Sequence, residues 1–241
     1  MRAAAIILLL LIAPSMALAQ NCPAPLASAH RLLLVVPATM HSTTASAQRF
    51  SRASPRAPPY APWRPASGPF TALLGYRGIA WAHAYRRFAA KGEPIKLDGD
   101  LRVPAGFFRV GPSFGFAPSR RAGYLRLVPG VTCVDDLRSP AYNTITTRAR
   151  VGWRVHGENM WRVRQYRQGL LVDYPTNRAA RAGSCIFIHV WLKGAKGTHG
   201  CVALPPKRVT AMQNFAQGGA VLAVVPKQAL SRFKGCLPAV R

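Results

Sequence analysis

One cysteine and one histidine stand where they could act together on a carbonyl group. Residues 184–204 contain an apolar stretch that delivers His189, then a Gly- and Lys-rich loop, then Cys201 at the start of a second apolar stretch. A thiol is a good nucleophile only as thiolate, so a catalytic cysteine needs a nearby base or cation. This arrangement makes Cys201 a candidate nucleophile and His189 a candidate general base. The alternative is that Cys201 is an unreactive core cysteine.

The residues just before Cys201 complete the candidate site. Thr198 offers a hydroxyl for hydrogen bonding, and glycines such as Gly200 leave backbone N–H groups free to bind an oxyanion. His199 competes with His189 for the role of base, because it is near the cysteine in sequence. Residues 184–204 contain no acidic residue, so a local Cys-His-Asp triad has no candidate, and we expect a backbone carbonyl to orient the imidazole.

The spacing of apolar residues predicts a mainly β domain. Short apolar runs alternate with Gly and Pro turn signals, and we predict strands at 31–36, 70–74, 79–82, 106–110, 124–128, 170–174, 185–190, 201–204 and 220–225. In the run that ends at His189, Cys185 and Phe187 share the face of the imidazole, whereas Ile186 and Ile188 share the other.

Two helices and one irregular segment complete the predicted organisation. Pro205-Pro206 can begin a helix, Val209, Met212 and Phe215 would share one of its faces, and Gly218-Gly219 would end it; these residues define a helix over 205–217. A second, short helix is predicted to begin within 158–161. Residues 37–69 are rich in Pro, Ser, Thr and Ala and are predicted to form an irregular surface stretch inside the domain.

Several blocks of the chain resemble the L,D-transpeptidases, the YkuD-type family of cell-wall enzymes. The strongest is His189-Val190-Trp191 followed by Thr198-His199-Gly200-Cys201-Val202-Ala203. The others are Gly99-Asp100, Pro104-Ala105-Gly106-Phe107-Phe108, Cys133-Val134-Asp135-Asp136, Tyr142-Asn143, Glu158-Asn159-Met160 and Gly183-Ser184-Cys185-Ile186-Phe187. Family members usually have Arg or Asn where this chain has Ala203, and Thr where it has Val103.

The resemblance implies a fold, a set of roles and a substrate. The fold would be the transpeptidase β-sandwich with one or two flanking helices. His189 would be the base, and the backbone N–H groups of His199, Gly200 and Cys201 would form the oxyanion hole. The substrate would be a peptidoglycan stem peptide, cleaved at an L,D peptide bond and passed to an amine or to water. The family uses no cofactor, and a zinc site built from Cys133, Cys185, Cys201 and the histidines lacks any characteristic ligand spacing.

The chain is strongly basic, which limits its partners. It carries 33 Lys plus Arg against 7 Asp plus Glu, a net charge of +26 at pH 7. Such a surface favours anionic partners, namely wall carboxylates and anionic polymers of the cell envelope. The arginines are spread along the chain without the clustered stripe of a nucleic-acid reader, so we expect no nucleic-acid partner.

The first residues have the pattern of a secretory signal peptide. Arg2 is followed by an apolar run and by Ala17-Leu18-Ala19, an A-x-A cleavage site. We therefore expect residues 1–19 to be removed and residues 20–241 to form a single exported catalytic domain, periplasmic or associated with the wall. The alternative is an uncleaved membrane anchor.

Export would allow disulfide bonds to form, and the odd number of cysteines means that not all of them can pair within one chain. The chain has five cysteines, so at least one is unpaired unless a bond forms between molecules. Cys201 is expected to stay reduced, since a nucleophile must. Cys22 and Cys236, near opposite ends, are predicted to pair. Cys133 and Cys185 either pair or are buried core residues.

Two classes of function remain from the sequence. The first is an exported cysteine acyltransferase acting on stem peptides, with a second stem peptide, a wall-linked protein or water as acceptor. The second is a non-catalytic, basic module that binds the wall or another polyanion on the same fold. A binding module has no need of both Cys201 and His189, so the reactivity of that pair distinguishes the two.

Overall fold

The fold is mainly β, as the sequence predicts. A computed structural model describes residues 22–54 and 61–239, so the predicted signal peptide at 1–19 lies outside the described residues. The strands are β1 (Arg31–Pro37), β2 (Thr44–Ser51), β3 (Arg64–Pro65), β4 (Phe70–Leu73), β5 (Ile79–Trp81), β6 (Val103–Gly115), β7 (Leu125–Arg126), β8 (Val131–Val134), β9 (Ile145–Thr147), β10 (Gly157–Glu158), β11 (Gln168–Asp173), β12 (Phe187–Val190), β13 (Val202–Leu204) and β14 (Ala220–Val224). The α-helices are α1 (Ala24–Ala27), α2 (Arg148–Val151) and α3 (Pro206–Phe215). Short 3-10 helices occupy His83–Phe88, Met160–Arg162, Arg164–Arg167 and Lys227–Phe233.

The main sheet closes on itself, so the predicted sandwich is wrong. Eight strands follow the order β1-β14-β6-β11-β12-β13-β4-β2, and β2 then pairs with β1 along its whole length. Because β1 has a partner on each edge, parallel β14 on one side and antiparallel β2 on the other, these eight strands close into a barrel.

Closure depends on a strand within the segment that was predicted to be irregular. β2 lies inside residues 37–69, where the many Pro, Ser and Thr residues obscure the alternation of buried and exposed positions along the strand. Ala45, Ala47 and Phe50 of this strand are buried, whereas Thr44 and Ser46 face outward or lie near the surface. Small buried alanines fit the barrel interior but give only a weak hydrophobic signal, which is why composition alone indicated a loop.

The barrel has two hydrophobic cores, one inside it and one against its outer face. The interior is filled by side chains such as Ile188, Val202 and Leu222. A second sheet, β10-β8-β9, is antiparallel and accompanies the outer core. That outer core includes Phe187 and Cys201. The candidate site therefore belongs to the barrel's outer face, beneath a second layer of chain.

The predicted C-terminal helix is confirmed as α3. It begins at Pro206, where a missing N–H removes no helical hydrogen bond, and it buries Val209 and Met212. The second predicted helix begins differently, because Gly157–Glu158 are the β10 strand and only Met160–Arg162 form a 3-10 turn. No helix in the described ranges is long and apolar enough to cross a membrane.

Two disulfide bonds cross-link the fold. Cys22 is bonded to Cys236, as predicted, and Cys133 is bonded to Cys185, the first of the two alternatives for that pair. In the described residues Cys201 is the free cysteine, and it is buried. The pairing removes Cys133 and Cys185 from any zinc site, and the described residues contain no group of three or more His, Cys, Asp or Glu side chains arranged to hold a metal ion.

Candidate active site

Two adjacent parallel strands bring His189 and Cys201 to one face of the barrel. The register of β12 on β13 sets Ile188 opposite Val202 and His189 opposite Ala203, and Cys201 directly precedes β13. Residues at alternate positions of a strand share a face, so Cys201 and Ala203 lie on the same side as His189. Ile188 and Val202 belong to the barrel interior. His189 and Ile188 therefore point to opposite faces of the sheet, as the sequence predicts.

The two side chains line a common cavity of about 260 Å³. Cys201 is 8 % exposed and His189 is 7 % exposed, and both line this cavity. Its walls are Leu73, Tyr76, Glu158, Gln165, Tyr166, His189, Val190, Trp191, Leu192, Ala195, Gly197, Thr198, His199, Cys201 and Ala203. Ala203, the register partner of His189, contributes only a methyl group to this wall.

A backbone carbonyl orients the His189 imidazole, as expected. Nδ1 lies 3.0 Å from the carbonyl oxygen of Val190. Because a carbonyl can only accept a hydrogen bond, Nδ1 carries the proton and Nε2 is left as the basic nitrogen. The ring also meets the Tyr166 ring edge-on, with centroids 5.5 Å apart. The imidazole is therefore held by one polar and one aromatic contact.

Burial keeps the Cys201 thiol and the His189 imidazole uncharged. Loss of solvent lowers the pKa of His189 to about 4, and the hydrogen bond to the Val190 carbonyl, which raises the pKa, offsets only part of this effect. Burial and the nearby Glu158 charge raise the pKa of Cys201 to about 12, although the Phe187 N–H and the Tyr166 hydroxyl act the other way. The pair is thus a neutral thiol beside a neutral imidazole, and the thiolate forms only when a proton is transferred.

The thiol is positioned by backbone groups on the strand next to it. The Phe187 N–H donates to Cys201 Sγ at 3.4 Å, and the thiol donates to the Cys185 carbonyl oxygen at 3.6 Å. The Cys185 N–H in turn donates to Asn143 Oδ1 at 2.9 Å, and Cys185 adopts a positive φ of 56°. The Cys133–Cys185 disulfide therefore fixes a peptide that touches the Cys201 thiol.

Thr198 shapes the turn that carries the cysteine. Its hydroxyl donates to the Cys201 carbonyl at 2.6 Å and accepts from the Gly200 N–H at 3.3 Å. Gly200 has a φ of 150°, a conformation that favours glycine. The Gly200 N–H is thus already engaged, which removes one of the three predicted oxyanion donors and leaves those of His199 and Cys201 as candidates.

His199 lies at the rim of the cavity rather than beside the buried pair. It is exposed, and its ring packs against Tyr76 with centroids 5.8 Å apart. Since His189 is buried on the face of the thiol and has its Nδ1 engaged, the geometry favours His189 over His199 as the base.

Glu158 and Tyr166 also line the cavity, and sequence reasoning missed both. The Tyr166 hydroxyl donates to Glu158 Oε2 at 2.7 Å, and both residues line the cavity together with Cys201. Glu158 stood within a block that resembles the family, yet its position was interpreted only as a helix start. Tyr166 belongs to no motif, so no local signal could have placed it beside Cys201.

A second, basic cavity adjoins the first. It measures about 720 Å³ and is lined by Arg164, Arg167 and Lys193, all of them exposed. Trp191, Leu192 and Ala195 line both cavities and form the wall between them. A basic groove therefore lies directly beside the cavity that holds Cys201.

Comparison with known proteins supplies no assignment for this chain. No protein-family model matches it, and no curated protein matches it significantly.

Proposed function

We propose that this protein is an exported cysteine acyltransferase that acts on peptidoglycan stem peptides, with the L,D-transpeptidase type of site. The observation that carries the proposal is the pairing of a buried free thiol with a buried, carbonyl-oriented imidazole on one strand face of a common cavity. The resemblance of residues 184–204 to the transpeptidase segment supplies the substrate class. The basic groove beside the cavity suits a substrate that carries carboxylates.

The first half-reaction forms an acyl-enzyme. Nε2 of His189 takes the proton of the Cys201 thiol as Sγ attacks the carbonyl carbon of the L,D peptide bond. The backbone N–H groups of His199 and Cys201 stabilise the negative charge that develops on the carbonyl oxygen. The carbon–nitrogen bond then breaks, and the departing D-amino acid takes the proton from the imidazolium. A thioester on Cys201 remains.

The second half-reaction returns the enzyme to its starting state. An amine of a second stem peptide, or a water molecule, gives a proton to His189 Nε2 and attacks the thioester carbonyl. The carbon–sulfur bond breaks, and the sulfur regains its proton from the imidazolium. Attack by an amine yields a cross-link, whereas attack by water yields a shortened stem. A wall-linked protein that supplies the amine would use the same steps.

Incubation of the mature protein with defined tetrapeptide-stem muropeptides tests the proposal, with products read by mass spectrometry. We expect a cross-linked dimer or a tripeptide product with the wild type and untouched substrate with Cys201→Ala. A carbapenem, an acylating agent typical for the family, should give a covalent adduct on the wild type alone. Muropeptides left intact by a folded wild type that binds sacculi would instead favour the non-catalytic binding module.

A further inference from the structure

We propose that Arg164 and Arg167 form a carboxylate-binding subsite, which selects peptides with free carboxylates over the same peptides with carboxamides. The subsite is the basic groove beside the Cys201 cavity, and it holds one end of a peptide whose scissile bond lies at the thiol. The inference rests on the proposed function, because it needs a peptide in the Cys201 cavity. It goes further in naming the side chains that recognise the peptide and the group that they recognise.

One short element lines both the groove and the cavity. The 3-10 helix Arg164–Arg167 contributes its two middle residues to the Cys201 cavity and its two terminal residues, Arg164 and Arg167, to the basic groove. A 3-10 helix has three residues per turn, so side chains at positions i and i+3 lie one above the other. The two guanidinium groups are therefore presented together to the groove, on the same element that borders the thiol's cavity.

The wall between the groove and the cavity is held in place by its own hydrogen bonds. Trp191, Leu192 and Ala195 line both spaces. The Trp191 indole N–H donates to the Ala195 carbonyl oxygen at 3.1 Å, and the Ala195 N–H donates to the Leu192 carbonyl oxygen at 3.1 Å. The Trp191 backbone N–H donates to the Leu204 carbonyl oxygen at 2.7 Å, which ties the wall to β13. A peptide that lies over this wall meets a preformed surface, so binding requires little ordering of the protein.

The positive charge of the groove has no counter-charge within the described residues. Arg164, Arg167 and Lys193 are exposed, and none of them belongs to an ion pair in the described part of the chain. No acidic side chain of the described residues lines the groove, and the first turn of α3, which starts on its wall, has none either. Arg148, in contrast, is buried and donates hydrogen bonds to four oxygen atoms of residues 152–159. The groove arginines are therefore available to a ligand, whereas Arg148 serves the fold.

The charge and the lining of the groove together favour a peptide carboxylate as ligand. A guanidinium group presents paired N–H donors that match the two oxygen atoms of a carboxylate. The rest of the lining is largely apolar and includes Trp191, Leu192, Pro205 and Pro206. Such a surface suits the carbon atoms of a peptide better than a polymer of phosphates, which needs cations along its whole length. The groove therefore fits a peptide that carries a carboxylate.

Calorimetry with a matched pair of peptides tests the subsite without turnover. One ligand is a tetrapeptide stem with free carboxylates, and the other is the same stem with its carboxylates converted to carboxamides. A carboxamide keeps the shape but loses the charge, and its N–H donors cannot accept from arginine. Both peptides are titrated into mature Cys201→Ala, which has no thiol to acylate. An exposed ion pair of good geometry contributes roughly 2- to 5-fold in affinity, so two of them should make the free acid bind roughly 4- to 25-fold more tightly.

Glutamine variants in the Cys201→Ala background separate the subsite from the overall charge. Arg164→Gln and Arg167→Gln should each reduce the preference for the free acid by roughly 2- to 5-fold, and the double variant should abolish it. The affinity for the carboxamide peptide should change little. Arg162→Gln is the matched control, because Arg162 is exposed, lies over the Trp161 ring and does not line the groove. It removes the same charge two residues away and should keep the preference.

Two further measurements check the site and the class of ligand. With the thiol restored, iodoacetamide should alkylate Cys201 in the arginine variants at the wild-type rate, because this reagent is small and uncharged and the two arginines do not line the thiol's cavity. Tripolyphosphate is the third ligand in calorimetry, since it has negative charge without a peptide chain. Tighter binding of tripolyphosphate than of the free-acid peptide would assign the groove to phosphate-bearing polymers and overturn the proposal.

The outcomes for the subsite and for the proposed function are distinguishable. Equal affinity for the two peptides, no binding of either, or a preference that falls as much in Arg162→Gln as in the groove variants overturns the subsite. The acyltransferase is judged apart from these results, by turnover of muropeptides in the wild type. A preference that is lost only in the groove variants supports the subsite. If the wild type then leaves muropeptides intact, the proposed reaction fails and the groove stands as a peptide-binding site.

Discussion

Removal of the Cys133–Cys185 disulfide should reduce both the stability of the fold and the reactivity of the site. The bond joins β8, in the second sheet, to the segment that leads into β12. Its Cys185 end presents the carbonyl oxygen that accepts from the Cys201 thiol. The double variant Cys133→Ala, Cys185→Ala removes the bond without adding free thiols that would compete with Cys201 for reagents.

The expected loss of stability follows from the length of chain that the bond closes. The two cysteines are 52 residues apart, and the loop-closure relation converts this separation to about 4 kcal/mol of stabilisation. Cys22 and Cys236 are 214 residues apart, for which the same relation gives about 5 kcal/mol. Both losses are large against the 5–15 kcal/mol by which domains are usually stable.

The terminal disulfide supplies the matched control. Urea unfolding should show a lower free energy of unfolding for both double variants. Acylation of Cys201 by a carbapenem should slow only when the Cys133–Cys185 bond is removed, because Cys22 and Cys236 have no contact with the site. Equal acylation of the two variants would refute the claim that the inner disulfide positions the Cys185 carbonyl. Unchanged unfolding would refute the entropic argument.

Three further predictions test the bases and the surface. His189→Ala should slow acylation of Cys201 by at least ~10²-fold and His199→Ala should slow it less, and the reverse order would make His199 the base. Burial lowers the pKa of His189 from 6.5 to about 4, so between these pH values the unfolded chain binds a proton that the folded protein does not. The free energy of unfolding should therefore decrease by ~3 kcal/mol as the pH drops from 6.5 to about 4. Urea unfolding of His189→Gln across that range should lack this decrease. Pelleting with peptidoglycan sacculi should weaken steeply as salt rises, because the net charge of +26, or +25 once Arg2 leaves with the signal peptide, acts through exposed contacts that are screened beyond ~8 Å. Iodoacetamide alkylation of Cys201 should barely change. Salt-insensitive pelleting would mean that the basic surface does not recruit the wall.

Local sequence patterns predicted the parts of the site that lie close together in the chain. Alternation along 185–190 assigned His189 to the face opposite Ile188, because strand periodicity depends only on neighbouring residues. Helix α3 followed from its proline start and the spacing of Val209 and Met212. The terminal disulfide was predicted from the odd cysteine count and from the positions of Cys22 and Cys236 near opposite ends of the chain.

The parts that depend on distant pairing were beyond sequence reasoning. Barrel closure requires β2 to pair with β1. The alanines of β2 lie in a Pro- and Ser-rich segment, and alanine has a low strand propensity, so the sequence does not predict this strand. Glu158 and Tyr166 reach Cys201 only because the second sheet folds over the barrel's outer face. No spacing within the chain records that approach, so the Tyr166–Glu158 hydrogen bond beside Cys201 emerged from the structure alone.

Intact-protein mass spectrometry of the mature protein during turnover tests the central claim most directly. A tetrapeptide-stem muropeptide is mixed with the wild type and with Cys201→Ala, and the reaction is stopped by acid within the first turnovers. The account predicts a covalent acyl-enzyme on the wild type whose added mass equals the substrate minus its terminal D-amino acid, mapped by proteolysis to Cys201. An adduct of the same mass on Cys201→Ala, or one mapped to another residue of the wild type, would contradict it.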